Sequence, residues 1–373
     1  MKPGKKLKLE DILGNDRVPP FKSEDPAQQE LANAVQRVIR NAGNETWDPA
    51  DKAALWQQIA PGLAPKPVIR RYLFLKAAAI ALVLLSAGAW WLWPRQQSAL
   101  VQFARRQPAE TVTETRLTLG QNKSVVIKGK NSVLVYARNS VSINADSTAV
   151  PSSPYNTLLV PYGRRSRVQL EDGTIVQLNA GSRLVYPAVF TAGRREVYLE
   201  GEGFFDIAPD AQRPFFVYAS GMETEVLGTT FNISAYPDDS LKTLVLASGS
   251  VRLHLEKHGL FGQQPQQLKP AEMATISREG NQLRVSRVNV AAYTAWKDGR
   301  LLFAATPLKD ILKKLTRYYN IRLDLESTQP GLETCSGDLD LEDNLDNVLD
   351  VICATNSLRY ERHGQRIILK EKE

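Results

Sequence analysis

The hydrophobic positions change their spacing three times along the chain, and each spacing predicts a different kind of structure. Residues 72–93, YLFLKAAAIALVLLSAGAWWLW, are almost continuously apolar. As a helix they would extend roughly 33 Å at about 1.5 Å per residue, enough for a hydrocarbon core of about 30 Å. Lys76 is the only charge and lies near one end, and aromatic residues occupy both ends, as in interfacial belts. The pattern predicts one transmembrane helix at 72–93.

The charges on either side of this stretch predict its orientation. Lys66, Arg70 and Arg71 precede it, whereas Arg95 is the only basic residue that follows it closely. The positive-inside bias therefore predicts a cytoplasmic N-terminus and a C-terminus on the far side of the membrane. A cleaved signal peptide is disfavoured because the stretch begins about 70 residues into the chain. A buried core helix is disfavoured because such a helix should carry a polar stripe.

Two helical patterns precede the apolar stretch, at residues 26–40 and 49–60. Each begins with Asp-Pro-Ala, an N-cap residue followed by proline in the first turn, and each then places apolar residues at helical spacing. Helices of this length are marginal alone, so we expect a partner to cover their apolar faces. A tail with a passing helical pattern is the alternative. The predicted partner-binding residues are Leu31, Val35, Val38, Ile39, Leu55, Trp56 and Ile59.

From about Leu100 the pattern becomes short alternating runs bounded by Gly, Asn, Asp and Pro, which predicts many short strands, the first of them within residues 117–146. The clearest hairpin is RVQLEDGTIVQL, because its Asp172-Gly173 pair tolerates the positive φ angles of a tight turn. Strands that recur about every 8 to 12 residues with no helix between them predict an all-β domain. A sandwich, a roll and a solenoid-like architecture all fit this spacing.

The last part of the chain mixes the two periods. It contains two helical patterns, one carrying Leu308, Ile311, Leu312 and Leu315, and short strand patterns around them in the order β-α-β-β-α-β-β. Two helices that cover one side of a small sheet form an α+β module. The predicted fold class is thus a single-pass membrane protein with a short helical cytoplasmic arm, an all-β domain of sandwich or solenoid-like architecture, and a small α+β domain. The predicted domains are the cytoplasmic arm at 1–71, the transmembrane helix at 72–93, a linker at 94–116, the β-rich domain at 117–298 and the α+β module at 299–373.

Charge and cysteine content add little to this division. The 373 residues carry a formal net charge of +7 that is spread along the chain, and no stripe is basic enough to predict nucleic-acid binding. Both cysteines, Cys335 and Cys353, fall on the far side of the predicted span, where a disulfide is permitted. Two buried, unpaired thiols fit the sequence equally well, so the sequence leaves both arrangements open.

Residues that could support chemistry are few. The histidines are His254, His258 and His363, and their spacing does not form a metal site on a helix. No phosphate-binding glycine loop and no nucleophile elbow is present. Glu200 and Glu202 share a face of a predicted strand, which favours a solvated sheet face over a carboxylate pair for glycoside hydrolysis. We therefore predict no enzyme, no cofactor and no metal.

A succession of motifs resembles a known family. In order, they are LEDGTIVQLNAGSRLVYP, REVYLEGEGFFDIA, PFFV, TEVLGTTFNISAY, LASGSVRL and LKPAE. Together they resemble the periplasmic domain of FecR-type anti-sigma factors over about residues 155–290, with Gly203 where relatives more often have alanine. The C-terminal module looks like the secretin/TonB short N-terminal domain that such regulators often carry.

This resemblance implies a function. It implies an inner-membrane regulator whose cytoplasmic arm binds an extracytoplasmic-function sigma factor, and whose periplasmic part receives a signal from the signalling domain of a TonB-dependent outer-membrane receptor. A free strand edge of the module would suit such docking. Some relatives are thought to cleave themselves at a Gly-Thr step, which Gly228-Thr229 matches here. The alternative is a membrane-tethered glycan- or peptidoglycan-binding module, although two capped helices exceed what a tether needs.

Overall fold

The structure is a computed structural model that divides into two compact units, residues 1–95 and 96–373. In the first unit it describes residues 29–30, 33–34, 37, 48, 50, 54, 57, 82 and 86. In the second it describes residues 98–373 without 108–109, 121–122, 138–139, 150–153, 257–263, 278–281, 328–329 and 373.

In the first unit, most of the described residues are single positions within helices. Gln29 and Asn33 are helical and joined by a side-chain hydrogen bond of 3.2 Å. The Asp48 carboxylate accepts a hydrogen bond of 3.2 Å from the Ala50 N–H, as expected at a helix start. The described residues of this unit are exposed, apart from the half-buried Gln29.

The predicted class of single-pass membrane protein is corrected by the structure. No helix among the described residues is long and apolar enough to cross a membrane. Hydropathy shows which residues a lipid environment tolerates, and it does not by itself set the length of a helix. Of the predicted span at 72–93, all but Leu82 and Ser86 lies outside the described residues. The predicted inner-membrane localisation is not tested and stays a prediction.

The second unit begins with helix α1 (Ala99–Arg106) and continues as two β-sheets that face each other. Sheet A contains, in spatial order, β2 (Lys123–Ile127), β1 (Thr115–Leu119), β6 (Asn156–Val160), β9 (Ser182–Tyr186), β10 (Arg195–Asp206), β11 (Phe215–Ala219), β12 (Met222–Val226), β15 (Val251–Leu255) and β16 (Gln266–Leu268). Sheet B contains β5 (Asp146–Ala149), β4 (Ser140–Ile143), β3 (Asn131–Ala137), β7 (Arg165–Gln169), β8 (Ile175–Leu178), the second half of β10, β13 (Thr230–Ala235), β14 (Leu241–Ser248), β17 (Glu272–Ser277) and β18 (Leu283–Arg287).

Strand β10 belongs to both sheets and joins them. Its first half pairs with β9 and β11 in sheet A, and its second half pairs with β8 and β13 in sheet B. Gly201 lies at the change of sheet with a φ of 93°, a conformation that glycine adopts without steric cost. From β11 onwards successive hairpins alternate between the sheets, β11–β12 in A, β13–β14 in B, β15–β16 in A and β17–β18 in B.

The core of this domain lies between the two sheets. Alternate residues of each strand point inward, as in β3, where Leu134 and Tyr136 are buried and their neighbours are exposed. Phe205 and Phe231 stack at 5.1 Å between ring centroids near the centre. The predicted Asp172-Gly173 hairpin is confirmed as β7–β8, with Gly173 at a φ of 87°. The all-β prediction therefore fits, and the architecture is a two-sheet sandwich.

The C-terminal module follows helix α2 (Ala291–Thr294) and a 3-10 turn at Ala295–Asp298. It consists of β19 (Arg300–Pro307), α3 (Leu308–Tyr319), β20 (Arg322–Leu325), a 3-10 turn at Pro330–Leu332, β21 (Thr334–Asp340), α4 (Leu345–Thr355), β22 (Leu358–His363) and β23 (Arg366–Glu371). Strand β19 pairs with β21, and β20, β23 and β22 form a second small sheet. This is the order of elements that the sequence predicts.

Both helices of the module bury the faces that their periodicity predicts. Leu308, Ile311, Leu312 and Leu315 of α3 are buried together with Val348 and Ile352 of α4 in one apolar cluster. The Asn344 side chain caps α4 by accepting a hydrogen bond of 2.9 Å from the Asn347 N–H.

Candidate functional site

Arg317 of α3 joins the C-terminal module to the β domain. Its guanidinium donates hydrogen bonds to Asp239 at 2.6 and 3.0 Å and to Asp238 at 2.9 Å. Both aspartates lie in the turn between β13 and β14, which belongs to sheet B. The guanidinium also lies 3.7 Å from the ring centroid of Tyr236. We call the contacts between this turn, neighbouring residues of the β domain and the C-terminal module the interdomain interface.

The charge state of this contact is fixed by its surroundings. Burial lowers the pKa of Arg317, but the hydrogen bond and charge of Asp239 raise it more, so the pKa lies above its usual range. Burial raises the pKa of Tyr236 well above its usual value. The Tyr236 hydroxyl stays protonated and donates a hydrogen bond of 2.7 Å to the Ala180 carbonyl. The interface therefore holds a permanent cation on a neutral ring.

A chain of buried hydrogen bonds crosses the interdomain interface beside this cation. The Trp296 Nε1 donates to Asn232 Oδ1 at 3.2 Å, and the Asn232 amide donates to Glu202 Oε1 at 3.0 Å. The other oxygen of Glu202 accepts from the Asn179 amide at 2.8 Å. Trp296 belongs to the turn that leads into the module, whereas Glu202 lies next to the Gly201 bend of β10. Buried networks that are satisfied in this way hold a single geometry.

Further contacts cross the interdomain interface, among them a hydrogen bond of 3.1 Å from Lys313 to the Asp238 carbonyl. Arg165 of β7 donates a hydrogen bond of 2.7 Å to the Trp296 carbonyl and lies 5.3 Å from the ring centroid of Tyr318. The Gly163 N–H donates to the Arg317 carbonyl at 2.8 Å. A side chain at Gly163 would approach Asn320 to 3.1 Å, so a glycine lets the two backbones come close here. The arrangement aligns two domains and carries no nucleophile.

The predicted partner-binding residues of the arm are not placed by the structure. Leu31, Val35, Val38, Ile39, Leu55, Trp56 and Ile59 all lie outside the described residues. Their role stays a prediction.

The predicted self-cleavage step lies in the bend between β12 and β13. Gly228 is half-buried and Thr229 is 4% exposed. The Thr229 hydroxyl donates a hydrogen bond of 3.0 Å to the Ser250 carbonyl, which is not a base. Neither residue has a positive φ, and a side chain at Gly228 would approach Pro209 to 2.9 Å. Close packing thus explains the glycine, and self-cleavage stays a prediction that an immunoblot of the full-length chain tests.

The two glutamates have separate partners. Glu200 is half-buried and binds Arg183 at 2.8 and 2.9 Å, whereas Glu202 is 8% exposed within the hydrogen-bonded chain described above. The predicted solvated face is therefore wrong for Glu202. The sequence missed this burial because the Gly201 bend turns the strand into the other sheet between the two residues.

The remaining candidate groups are also accounted for. His254 lies 3.3 Å from Glu225 and His363 lies 3.8 Å from Glu361, while His258 is outside the described residues. Over the described part of the chain, no group of three or more His, Cys, Asp or Glu could hold a metal ion. Cys335 and Cys353 are both free thiols, and burial raises the pKa of each.

Strand β21 forms an acidic edge of the module. Among the described strands it pairs with β19 only, so its other edge is unpaired. Residues 333–350, which contain this strand and the start of α4, hold seven acidic residues and no Lys or Arg. Asp338 pairs with Arg300, and Asp346 with Arg362, while among the described residues Asp340 accepts only the backbone hydrogen bond of Glu342.

Sequence reasoning missed the residues of the interdomain interface. Arg317 is one basic residue among several on the polar side of α3, and its aspartate partners are 78 and 79 positions away in sequence. The one available signal was Asp238-Asp239 in a short turn that follows a strand. That pair alone does not indicate which cation it binds.

The fold and the interdomain interface define a class of protein, a two-sheet sandwich rigidly joined to a small α+β module. The profile of the family "FecR protein" matches residues 156–252, and that of "FecR, C-terminal" matches residues 300–369. A comparison with curated protein sequences found no match.

Two solved structures are also similar to this chain. Two crystal structures of a proposed anti-sigma factor from Parabacteroides distasonis ATCC 8503, at 1.65 and 2.50 Å resolution, are 30% identical to this chain with a TM-score of 0.54. The first similarity covers 58% of this chain and 99% of that chain, and the second covers 59% and 100%. The chain therefore belongs to the family of FecR-type anti-sigma factors, as the motifs predicted.

Proposed function

We propose that this protein is an anti-sigma factor that binds an extracytoplasmic-function sigma factor and responds to a TonB-dependent outer-membrane receptor. The observation that carries the proposal is the succession of the two family matches, at 156–252 and 300–369, in one folded unit. A sigma factor is the partner that membership of this family implies. In this proposal the chain is not an enzyme and works by binding.

The arm at residues 1–71 is the proposed sigma-binding part. Its support is the pair of capped helical patterns, whose apolar faces need a covering partner because such short helices are marginal alone. The hydrogen bond from the Ala50 N–H to Asp48 agrees with the second predicted start. In this proposal the arm acts in the cytoplasm, and the sandwich and the C-terminal module act in the periplasm.

The acidic edge at β21 is the proposed docking site for the receptor's signalling domain. An unpaired edge of a small sheet can accept a strand from another chain through backbone hydrogen bonds. The acidic residues around this edge favour a strand with basic flanks. The interdomain interface would then transmit a change at the module to sheet B, because Arg317 and Trp296 both bind residues of the β domain.

Sigma-factor binding tests the proposal most simply. The full-length chain is purified from its source cells, and co-purifying sigma factors are identified by mass spectrometry. Aspartate at four arm positions should lower the affinity for the sigma factor at least a hundredfold, because it puts charge on the apolar faces that the partner covers. A control variant carries aspartate at four positions that are exposed in the structure. The test variant is Leu31→Asp, Val35→Asp, Val38→Asp and Leu55→Asp, and the control is Asn33→Asp, Arg37→Asp, Ala50→Asp and Gln57→Asp. Equal binding by both variants would refute the arm as the binding surface.

Receptor docking is tested with the isolated signalling domain of the receptor and the full-length chain. Asp340→Lys with Asp343→Lys should weaken the affinity at least tenfold, measured by calorimetry, because it reverses charge beside the β21 edge. The matched control, Glu326→Lys with Glu371→Lys, reverses two exposed charges on the other small sheet. An unchanged affinity in the first variant would rule out docking at this edge.

A further inference from the structure

Helix α1 covers part of the outer face of sheet A. Leu100, Val101 and Ala104 are at most 3% exposed and contact Val185 of β9 and Tyr198 of β10. Val185 and Tyr198 point away from the core between the sheets, which is a separate apolar cluster. This stretch lies within the predicted linker at 94–116, and the structure places a docked helix there.

Polar contacts hold both ends of this helix. At the start, the Ser98 hydroxyl accepts a hydrogen bond from the Leu100 N–H and donates one of 2.9 Å to Glu196 of β10. At the end, the Gln107 side chain accepts a hydrogen bond of 3.0 Å from the Thr157 hydroxyl of β6. Each end is thus tied to a different strand of sheet A.

Arg183 of β9 binds the carbonyl end of the helix. Its guanidinium, 6% exposed, donates to the Ala104 carbonyl at 3.2 Å through both terminal nitrogens and to the Gln107 carbonyl at 3.4 Å. The same guanidinium binds Glu200 at 2.8 and 2.9 Å. The last carbonyls of a helix have no partner within the helix, so a fixed cation is a fitting cap.

The helix is separable from the sandwich it covers. It contributes no residue to the core cluster between the sheets and contacts sheet A through one face. A helix of eight residues is marginal in water, so α1 folds only while it is docked. Local units with few buried contacts open before the rest of a protein does. Docking and unfolding of residues 98–107 are therefore one equilibrium.

We propose that residues 98–107 form a releasable clasp, docked in the resting protein and detached when the protein signals. This inference rests on the proposed function, because the clasp is the first described element after the unit that contains the arm. Any change passed along the chain between the sandwich and the arm must pass through it. Release leaves Arg183 paired with Glu200 and exposes Val185 and Tyr198.

Hydrogen exchange of the full-length chain tests the clasp directly. Val101→Asp puts a charge on the docked face, and Gln102→Asp puts the same charge on the exposed face of the same turn. We expect amides of residues 100–107 to exchange at least tenfold faster in Val101→Asp, while β9 and β10 keep their protection. Gln102→Asp, which leaves the docked face unchanged, should accelerate exchange far less than Val101→Asp. Arg183→Lys, which keeps the charge beside Glu200 but loses the two-nitrogen contact with Ala104, should have an intermediate rate.

Three results would overturn the inference. They are unchanged exchange of residues 100–107 in Val101→Asp, equal acceleration in both aspartate variants, and loss of protection throughout sheet A together with the helix. The last result would make α1 an inseparable part of the sandwich.

A reporter for the partner sigma factor tests the regulatory part. Val101→Asp should give an output that no longer depends on the inducing signal, whereas Gln102→Asp should respond normally. A normal response of Val101→Asp with the helix released would refute the clasp as a switch. Failure of the wild-type chain to bind any sigma factor would instead refute the proposed function. The hydrogen-exchange result on the docking of α1 would remain valid in that case.

Discussion

At the scale of single residues, three buried arginines organise the folded unit. Arg183 fixes helix α1 by binding the Ala104 carbonyl, Arg317 fixes the C-terminal module, and Arg195 fixes the β7–β8 hairpin by pairing with Asp172 at 2.8 Å. Each also lies over an aromatic ring. Because a buried guanidinium is costly unless it is paired and hydrogen-bonded, such contacts specify one geometry more than they add stability.

Removal of the Arg317 side chain should weaken the interdomain interface. Arg317→Ala removes the guanidinium that binds both aspartates and leaves Asp239 the more distant Lys313 ammonium at 3.5 Å, so we expect the free energy of unfolding to fall by about 2–3 kcal/mol. Arg317→Lys should lose about 1 kcal/mol, because an ammonium cannot bind both carboxylates as a planar fork does. Urea denaturation of the full-length chain measures both. Lys314→Ala, at an exposed position of the same helix, is the control and should change stability by less than about 0.5 kcal/mol. An Arg317→Ala protein as stable as this control would contradict the account.

The alkaline stability of the protein should depend on Tyr198 beneath α1. Burial and the charge of Glu200 raise the pKa of Tyr198 from 10.0 to about 12. A raised pKa stabilises the folded state fully below the unfolded value of 10.0, and this stabilisation is lost as the pH rises through about 12. Tyr198→Phe, which cannot ionise, should therefore lose less stability than the wild type between about pH 9 and about pH 11.5. Urea midpoints at the two pH values measure this, and equal losses would argue against it.

Single apolar residues were predictable, and buried polar ones were not. Helical periodicity alone identified Leu308 and Leu315 as core residues because the pattern is local. Burial of Glu202 depends on the bend at Gly201 and on the amides of Asn232 in β13 and Asn179 just after β8, so no local pattern contains it. The same holds for Arg317, which nothing in its own helix distinguishes.

At the scale of elements, β10 is the strand that makes two sheets into one domain. Its twelve residues pass from sheet A to sheet B at Gly201. A side chain there would approach Ser182 Oγ to 2.5 Å and the Gly181 carbonyl to 2.9 Å. The glycine is thus required both by its φ of 93° and by the close approach of β9.

Gly201→Ala should therefore destabilise the sandwich strongly. A positive φ costs an L-residue about 1–2 kcal/mol, and forced repacking adds about 1–3 kcal/mol, so we expect a loss of about 3 kcal/mol or more. Thermal unfolding of the full-length chain measures the effect. Gly193→Ala is the matched control, because nothing lies within 4 Å of the side chain it would gain. Equal unfolding temperatures for the two variants would show that the bend tolerates a side chain.

The sequence predicted which helices and strands form better than it predicted which strands pair with one another. The Asp172-Gly173 hairpin and the β-α-β-β-α-β-β order follow from local turn chemistry and periodicity. The choice of a sandwich over a roll or solenoid depends on strand pairs far apart in sequence, such as β1 with β6, which no alternation pattern encodes. Helix α1 was missed because eight residues between polar flanks form too short a periodic signal. The predicted membrane-spanning helix is the element that is wrong, because no helix among the described residues is long and apolar enough to cross a membrane.

At the scale of the whole molecule, the sandwich and the C-terminal module act as one body. The described contacts across the interdomain interface include an arginine bound to two carboxylates and a buried chain from Trp296 to Glu202. A partner that binds the module would therefore act on the sandwich, and through the clasp on the chain that leads to the arm. In the proposed function, the signal follows this path.

The most direct test of this account is the output of the partner sigma factor in cells, measured with a reporter gene as the inducing signal is added. With the wild-type chain, we expect an output that follows the inducer. With the gene deleted, or with aspartate at Leu31, Val35, Val38 and Leu55, the output should no longer depend on the inducer. An output that still follows the inducer without this protein would contradict its role as an anti-sigma factor.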